Sequence, residues 1–373
     1  MISSTISTPT ALVLFIFALA PALAFSFAHQ PKTIMPAKED AAAAAAAASD
    51  PKLPSRFIVD SFQNLRSQKL FTIHLPPKDD ATTSKPSPPR AMVFLVHGLA
   101  DHCCRPGYVG LYESLSEAGV DVYSLDYHGH GRSDGLRGYA ETFDHYVNDV
   151  LEYIQLCQKK YKDNNDDGTC PPLVLLGQSM GGLISVNVAL KLGSYHVGGI
   201  ILTSPALGVD MGLELKVQNF FSPLIDKFLP KAKIVDAVRP EDMSRNPAAV
   251  QAYVDDPLCP KGKIIARTAI TMSKSFDVVK ERRGEISCPI LMLHGTDDRC
   301  TSLKASIDFF QHVGTPVSKK RFLQLPGMYH ELLEEPETDQ LLVSIVEFAS
   351  SGGKQFATVE GEENEGLVSM TFA

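Results

Sequence analysis

Six short apolar runs recur along the chain, and longer segments with mixed polar and apolar positions separate them. Strands that are buried on both faces of a sheet are almost wholly apolar, whereas the covering helices are apolar along one stripe only. The alternation is therefore typical of an α/β fold, in which a mostly parallel sheet carries helices on both faces. The runs predicted to be strands are residues 92–96, 120–125, 173–176, 200–203, 290–293 and 322–325.

The segment before the third run shows the spacing of an amphipathic helix. Apolar residues recur there at intervals of three and four, which places them on one face of a helix. We therefore expect a helix with one buried stripe, formed by Phe143, Val147, Val150, Leu151 and Ile154.

The interval between the fourth and fifth runs, at about 207–283, is much longer than a normal connection and contains no convincing strand. Long insertions in such sheets commonly cover the carboxyl ends of the strands. We expect a largely helical cap, with one apolar face interrupted by Pro223. That face could line an acyl pocket, rest on a bilayer as a peripheral contact, or pack onto the body of the protein. Its residues are Val217, Phe220, Phe221, Leu224, Ile225 and Phe228.

The remaining parts of the chain differ from the folded region in composition. A stretch from Lys78 to Arg90 is dense in Pro, Ser, Thr and Asp and is expected to be a surface loop between strands. The predicted organisation is a targeting segment at 1–28, a low-complexity tether at 29–54, one folded domain at 55–350 that includes the cap, and an acidic tail at 351–373.

The targeting segment is apolar from residue 11 to residue 25 and ends near Ala22-Leu23-Ala24, a small-x-small pattern that signal peptidase accepts. This favours the secretory pathway or a membrane-associated location. No Lys or Arg precedes Lys32 and the first residues are rich in Ser and Thr, so import into a plastid and an uncleaved anchor stay open as alternatives.

Charge and cysteine usage exclude several classes of protein. The formal charge is −8 at pH 7, and a chain without a basic surface cannot displace the counterions of nucleic acid. The seven cysteines are an odd, scattered set without a repeated short spacing. They predict free thiols rather than a disulfide framework or a zinc module.

The strongest chemical motif is Gly-Gln-Ser-Met-Gly at residues 177–181, between the third apolar run and a segment of helical spacing. A strand, a sharp turn and a helix in this order force the central residue into a strained conformation, and the flanking glycines allow close packing. The hydroxyl of Ser179 would then project at a helix N-terminus, where it could act as a nucleophile.

A serine nucleophile needs a base and an orienting carboxylate, and two later segments supply them. Asp297 and Asp298 follow the fifth run, and His330 follows the sixth, so both lie just beyond the carboxyl end of a strand. We expect His330 to accept the proton of Ser179, with an aspartate fixing the imidazole tautomer. Either segment alone could have a structural role, with His330 capping a helix or the aspartate pair shaping a turn. Such roles do not explain why all three motifs occur in the required order, each after a predicted strand.

An oxyanion hole would complete the site. The first run is followed at once by His97-Gly98-Leu99, so the backbone amides of Leu99 and Met180 are the expected donors. His97 and His102 are expected to hold the loop by hydrogen bonds, and the glycine-rich segment 126–133 is expected to form a tight turn. With no third ligand at suitable spacing, we expect neither a metal ion nor another cofactor.

Together these motifs resemble the monoacylglycerol lipase family, which overlaps with lysophospholipase-like and serine aminopeptidase S33-type sequences. The resemblance covers about residues 55–350 and is carried by residues 97–102, 129–133 and 177–182 with Asp298 and His330. It implies an α/β-hydrolase fold with an eight-stranded sheet, and a helical cap with an apolar tunnel. The family acid is the fourth residue of a Gly-x-x-Asp turn, which selects Asp298.

The resemblance also implies an activity. It favours hydrolysis of the ester of monoacylglycerol through an acyl-enzyme, with lysophospholipids and aromatic esters such as caffeoyl conjugates as further substrates. Two other functions stay open: an acyltransferase that passes the acyl group to an alcohol, and a ligand-sensing protein on a hydrolase scaffold.

Overall fold

A sheet of nine strands, mostly parallel, forms the centre of the computed structural model. The strands join in the order β1-β2-β4-β3-β5-β6-β9-β10-β11, with β1 and β2 antiparallel to their neighbours and all other pairs parallel. Each of the six predicted runs forms a strand, as the apolar pattern predicted. The strands of the sheet are β1 (Ile58–Gln63), β2 (Lys69–Leu75), β3 (Met92–Val96), β4 (Asp121–Leu125), β5 (Leu173–Gln178), β6 (Gly199–Thr203), β9 (Ile290–Gly295), β10 (Lys320–Leu325) and β11 (Leu367–Ser369).

The structure describes residues 47, 52–78, 88–165, 168–208, 226–236, 239–357 and 367–369, the last three and 234–236 without their side chains. The targeting segment and nearly all of the tether lie outside this range. So do all the residues predicted for the apolar cap face except Phe228, which is exposed. Within the described part of the chain, no helix combines the length and apolar character required to cross a bilayer.

The central strands of the sheet are buried on both faces, as expected for parallel strands covered by helices; these strands are β3, β4, β5, β6 and β9. Alternate residues of β3 point to opposite sides: Phe94 belongs to one hydrophobic cluster, and Leu95 to the other. The helices that cover the sheet are α1 (Pro106–Glu117), α2 (Asp144–Asp163), α3 (Met180–Leu192), α6 (Leu303–His312) and α7 (Thr338–Ser350).

The predicted amphipathic stripe lies on α2. Phe143 precedes the helix, and it is buried together with Val147, Val150 and Ile154, while Leu151 is only half-buried. The predicted helix and its buried face are therefore confirmed, with one residue at the margin of the stripe.

The cap interval between β6 and β9 differs in part from the largely helical expectation. Its described residues form a small antiparallel sheet of β7 (Lys233–Asp236) and β8 (Lys263–Ile265), besides α4 (Pro247–Asp255) and α5 (Ala266–Arg282). The strands are too short for a period of two to stand out in the sequence. Helix α5 inserts Phe276 into the main core, so the end of this interval packs on the body.

One further strand lies where the sequence predicted only an acidic tail. The three residues of β11 pair in parallel with β10 and extend the predicted eight-stranded sheet by one edge strand. All seven cysteines are free thiols.

Candidate active site

Ser179 occupies a strained turn between β5 and α3. Its backbone angles are φ 54° and ψ −119°, outside the regions that side chains normally allow. A side-chain carbon on Gly181 would collide with the carbonyl oxygen of Val96, and one on Gly177 would collide with the backbone of Gly181. The two glycines of the motif are therefore required by close packing, as predicted.

Three backbone hydrogen bonds hold this turn. The Ser179 amide donates to Thr203 at 3.0 Å, and its carbonyl accepts from Gly182 at 3.0 Å and from Ala206 at 2.9 Å. Strain of this type costs about 1–3 kcal/mol and persists only where the surroundings enforce it. The bonds to Thr203 and Ala206 anchor the turn to β6 and the residues after it, which leaves the Ser179 side chain half-buried at the end of the sheet.

Asp298 and His330 form a direct pair. Nδ1 of His330 lies 2.9 Å from Oδ2 of Asp298, and both side chains are buried. Because this contact places the proton on Nδ1, Nε2 is the nitrogen that is free to accept one. Asp297 instead is exposed, so the structure selects Asp298 as the partner, in agreement with the expectation.

The pKa of His330 is raised and that of Asp298 is lowered. Burial alone would lower the pKa of His330, but the charge of Asp298 and its hydrogen bond raise it above the ordinary value. Burial would raise the pKa of Asp298, yet His330 and a hydrogen bond from His294 lower it. The carboxylate is therefore ionised at neutral pH, where it can stabilise an imidazolium.

Gln178 links the serine turn to the histidine loop. Its Nε2 donates to the carbonyl of His330 at 3.2 Å, and its Oε1 accepts from the hydroxyl of Thr203. The residue that precedes Ser179 is thus bonded to the backbone of His330. All three predicted catalytic side chains lie at the carboxyl ends of β5, β9 and β10, and their catalytic roles stay a prediction.

Asp298 is held by further donors that the sequence analysis did not identify. The amides of Cys300 and Thr301 donate to Oδ1 at 2.7 and 3.0 Å, and the Thr301 hydroxyl donates to Oδ2 at 2.7 Å. His294 is fully buried, with Nε2 3.2 Å from Oδ2 of Asp298 and Nδ1 2.9 Å from the hydroxyl of Ser306. The signal available in the sequence was a histidine near the end of an apolar strand, four residues before the aspartate.

The loop after β3 runs beside Ser179. A side-chain carbon on Gly98 would lie 3.3 Å from Cβ of Ser179, so a larger residue there would crowd the nucleophile. Leu99 follows in this loop, and Met180 is the first residue of α3. Leu99 is therefore adjacent in sequence to a residue that approaches Ser179, and Met180 directly follows the serine; the role of their amides as oxyanion donors stays a prediction.

His97 holds this loop in shape, as expected. It is fully buried, its Nδ1 lies 2.8 Å from the carbonyl of Gly98, and its ring stacks on Tyr127 at 4.2 Å. Burial lowers the pKa of His97, so the ring is neutral. Gly129 and Gly131, both with positive φ, form the tight turn predicted after β4.

Residues of the cap interval touch both loops that carry the Asp–His pair. The amide of Glu331 donates to Met243 at 2.7 Å, and the thiol of Cys300 lies 3.5 Å from the carbonyl of Asp242. Burial raises the pKa of Cys300, so this thiol is a passive neighbour of the site. Movement of the 242–244 segment would therefore displace the loops that carry Asp298 and His330.

Comparison with known proteins identifies the family of the chain. The family model described as serine aminopeptidase, S33 (Hydrolase_4) matches residues 87–337. A monoacylglycerol lipase of Mycolicibacterium smegmatis is 30% identical over 270 residues, which are 70% of this chain and 89% of that protein. A monoglyceride lipase homolog of Monkeypox virus is 31% identical over 258 residues, with 69% and 87% covered.

Solved structures show the same architecture. The crystal structure of Paleococcus ferrophilus monoacylglycerol lipase superposes with a TM-score of 0.63 at 26% identity, covering 76% of this chain and 99% of that one. A soluble variant of monoglyceride lipase from Saccharomyces cerevisiae gives 0.67 at 18% identity, covering 84% and 99%, which supports the fold alone. The chain therefore belongs to the serine aminopeptidase S33 family and, within the α/β-hydrolase fold, to its monoacylglycerol lipase-like serine ester hydrolases.

Proposed function

We propose that this protein hydrolyses monoacylglycerol to glycerol and fatty acid through an acyl-enzyme on Ser179. The observation that carries the proposal is the buried Asp298–His330 pair, bonded through Gln178 to the strained turn that presents the serine. An imidazole whose Nδ1 proton is held by a carboxylate is the general base that a serine nucleophile requires.

The reaction divides into two steps. Nε2 of His330 accepts the Ser179 proton as Oγ attacks the ester carbonyl, and the resulting oxyanion is stabilised by the amides of Leu99 and Met180. The imidazolium then protonates the departing glycerol oxygen and leaves an acyl-serine. Water activated by the same imidazole attacks the acyl carbon, and the serine is restored as the fatty acid leaves.

The substrate proposal rests on relatives. The bacterial and viral proteins compared above carry the names monoacylglycerol lipase and monoglyceride lipase homolog. Lysophospholipid is a second candidate, because the motifs also resemble lysophospholipase-like sequences, and a phospholipase of Bacillus subtilis is 26% identical to this chain over 260 residues. Peripheral membrane contact through the cap would suit either lipid, and a secretory or membrane-associated location, with plastid import as the alternative, stays a proposal based on the N-terminal segment.

A substrate panel tests the proposal. Ser179→Ala and Ser185→Ala are compared on monoacylglycerol, diacylglycerol, lysophospholipid and a caffeoyl ester. Ser185 is a matched control, because it lies on the same helix and its hydroxyl has no hydrogen-bond partner among the described residues. We expect turnover of monoacylglycerol to exceed that of the other esters and to disappear only in Ser179→Ala.

Different outcomes point to different functions. Equal rates on monoacyl and diacyl lipids would remove the substrate proposal and leave the ester chemistry intact. Transfer of a labelled acyl group to added glycerol in preference to water would indicate an acyltransferase. Absence of turnover on every ester, with binding retained, would favour a ligand sensor.

A further inference from the structure

Three chemically different side chains converge where the cap interval meets the loop after β3. His102 lies within that loop, Asp256 directly follows α4, and Cys259 lies three residues further along the chain. Nε2 of His102 lies 2.8 Å from Oδ2 of Asp256, and one donor atom from each of the three residues lies within 4.8 Å of the others. No third ligand lies near His97 and His102 in sequence, which is why no metal was expected, but the fold brings two ligands to His102 from more than 150 residues away.

The donor set has a clear preference among metal ions. Imidazole nitrogen, carboxylate oxygen and thiolate sulfur are the three ligand types of protein zinc sites. A thiolate disfavours Mg²⁺ and Ca²⁺, which select oxygen ligands. His102 and Cys259 are buried and Asp256 is half-buried, so the first two are shielded while the third borders solvent.

The geometry requires only a small adjustment. With metal–ligand distances of about 2.0–2.3 Å, the donor atoms of a tetrahedral site lie about 3.3–3.7 Å apart. The three donor atoms lie within 4.8 Å of one another, so the His102–Asp256 contact of 2.8 Å has to open, and any longer separation has to close by up to about 1 Å, to admit an ion.

Charge balance also permits an ion here, although Arg105 lies nearby. Its guanidinium is 3.7 Å from the Cys259 sulfur and 3.7 Å from a carboxylate oxygen of Glu334. Without metal, an imidazolium, a carboxylate and a thiol sum to zero charge. With a divalent ion, a neutral imidazole, a carboxylate and a thiolate also sum to zero, so Arg105 meets no added positive charge.

We propose that His102, Asp256 and Cys259 bind a divalent ion of the zinc type that joins the cap to the loop after β3. Binding displaces one proton from the imidazolium of His102 and one from the thiol of Cys259, and water completes the coordination. Because Asp256 directly follows α4, the ion attaches that helix to the segment that also carries Leu99.

The competing explanation for this cluster is an ion pair between His102 and Asp256 without a metal ion. Burial alone would lower the pKa of His102, but the hydrogen bond to Asp256 raises it well above its ordinary value. Such a pair would by itself fasten the cap, so the experiment has to detect the ion directly.

The test is a competition titration of the full chain with Zn²⁺ and a chromogenic chelator at neutral pH, in reducing buffer. We expect one tight equivalent and release of protons on binding. Cys259→Ser and Asp256→Asn should each weaken affinity by at least about tenfold. Asp256 is half-buried at a helix end, so its variant keeps the test valid if Cys259→Ser fails to fold.

A matched control separates this site from the active site. Among the described residues, Asp298, Cys300 and His330 form the other group with metal-ligand spacing. Cys300→Ser should keep the tight equivalent. If Cys300→Ser loses it while Cys259→Ser keeps it, the ion binds at the active site and the proposal is wrong. Binding that is weak or equal in every variant would show adventitious ions only and would also overturn it.

Discussion

Replacing His294 by glutamine tests whether this residue positions Asp298, the carboxylate that we propose orients His330. The wild-type imidazole lies 3.2 Å from Oδ2 of Asp298 and 2.9 Å from Ser306, and it is fully buried. A hydrogen bond to a charged group contributes about 1.5–3 kcal/mol, and each 1.4 kcal/mol of transition-state stabilisation is about tenfold in rate. Because other donors also hold Asp298, we expect the lower end, a decrease in kcat/KM of about tenfold.

The pH profile distinguishes positioning from general damage. Loss of one hydrogen-bond donor to Asp298 strengthens the electrostatic attraction between its carboxylate and the imidazolium of His330, which raises the pKa of His330. The acid limb of the kcat/KM profile should therefore move to higher pH by less than about one unit. Thr301→Val removes another donor to the same oxygen and should shift the limb in the same direction. Ser306→Ala removes only the partner of His294 and should do less.

Steady-state kinetics from acid to neutral pH give kcat/KM for each variant, and chemical denaturation gives its free energy of unfolding. If His294→Gln lowers the unfolding free energy but leaves both kcat/KM and the acid limb unchanged, His294 is a structural residue and does not position Asp298.

Three further predictions concern the same site. Asp298→Asn should lower kcat/KM by roughly 10³–10⁴-fold, whereas Asp297→Asn should leave kcat/KM near the wild-type value. A large decrease in kcat/KM for Asp297→Asn and none for Asp298→Asn would instead identify Asp297 as the carboxylate that orients His330. In the wild type, kcat/KM should fall as the pH drops through the raised pKa of His330, with a midpoint above pH 6.5. A midpoint well below pH 6.5 in a pH–rate profile would contradict the pairing of His330 with Asp298. Gly181→Ala forces a carbon against the carbonyl oxygen at the end of β3 and should lower the free energy of unfolding by about 1–3 kcal/mol. Gly110→Ala, with open space around it, should instead raise the free energy of unfolding by about 0.5–1 kcal/mol. Equal effects of the two variants in denaturant titrations would refute the packing argument.

The central part of the fold could be predicted because its physical cause is local in sequence. A strand buried on both faces is apolar at most positions, so β3, β5, β6 and β9 appear directly as apolar runs. The predicted catalytic side chains lie a few residues after such runs, so Ser179 could be identified from its motif and His330 from its place after a strand.

Features that depend on distant contacts could not be predicted in this way. The short strands β7 and β8 form only by pairing across the cap interval, and three-residue β11 forms only against the edge of β10. His294 is a strand residue whose role depends on a carboxylate folding back onto it. His102 gains its partners from the cap, and no spacing along the chain indicates that contact.

Rapid quenching of the reaction with monoacylglycerol, followed by mass spectrometry of proteolytic peptides, tests the central claim most directly. The account predicts an acyl group on the peptide that contains Ser179, at up to one per chain, and no such adduct in Ser179→Ala or His330→Ala. An acyl group on another residue, or full turnover in Ser179→Ala, would contradict the assignment of Ser179 as the nucleophile.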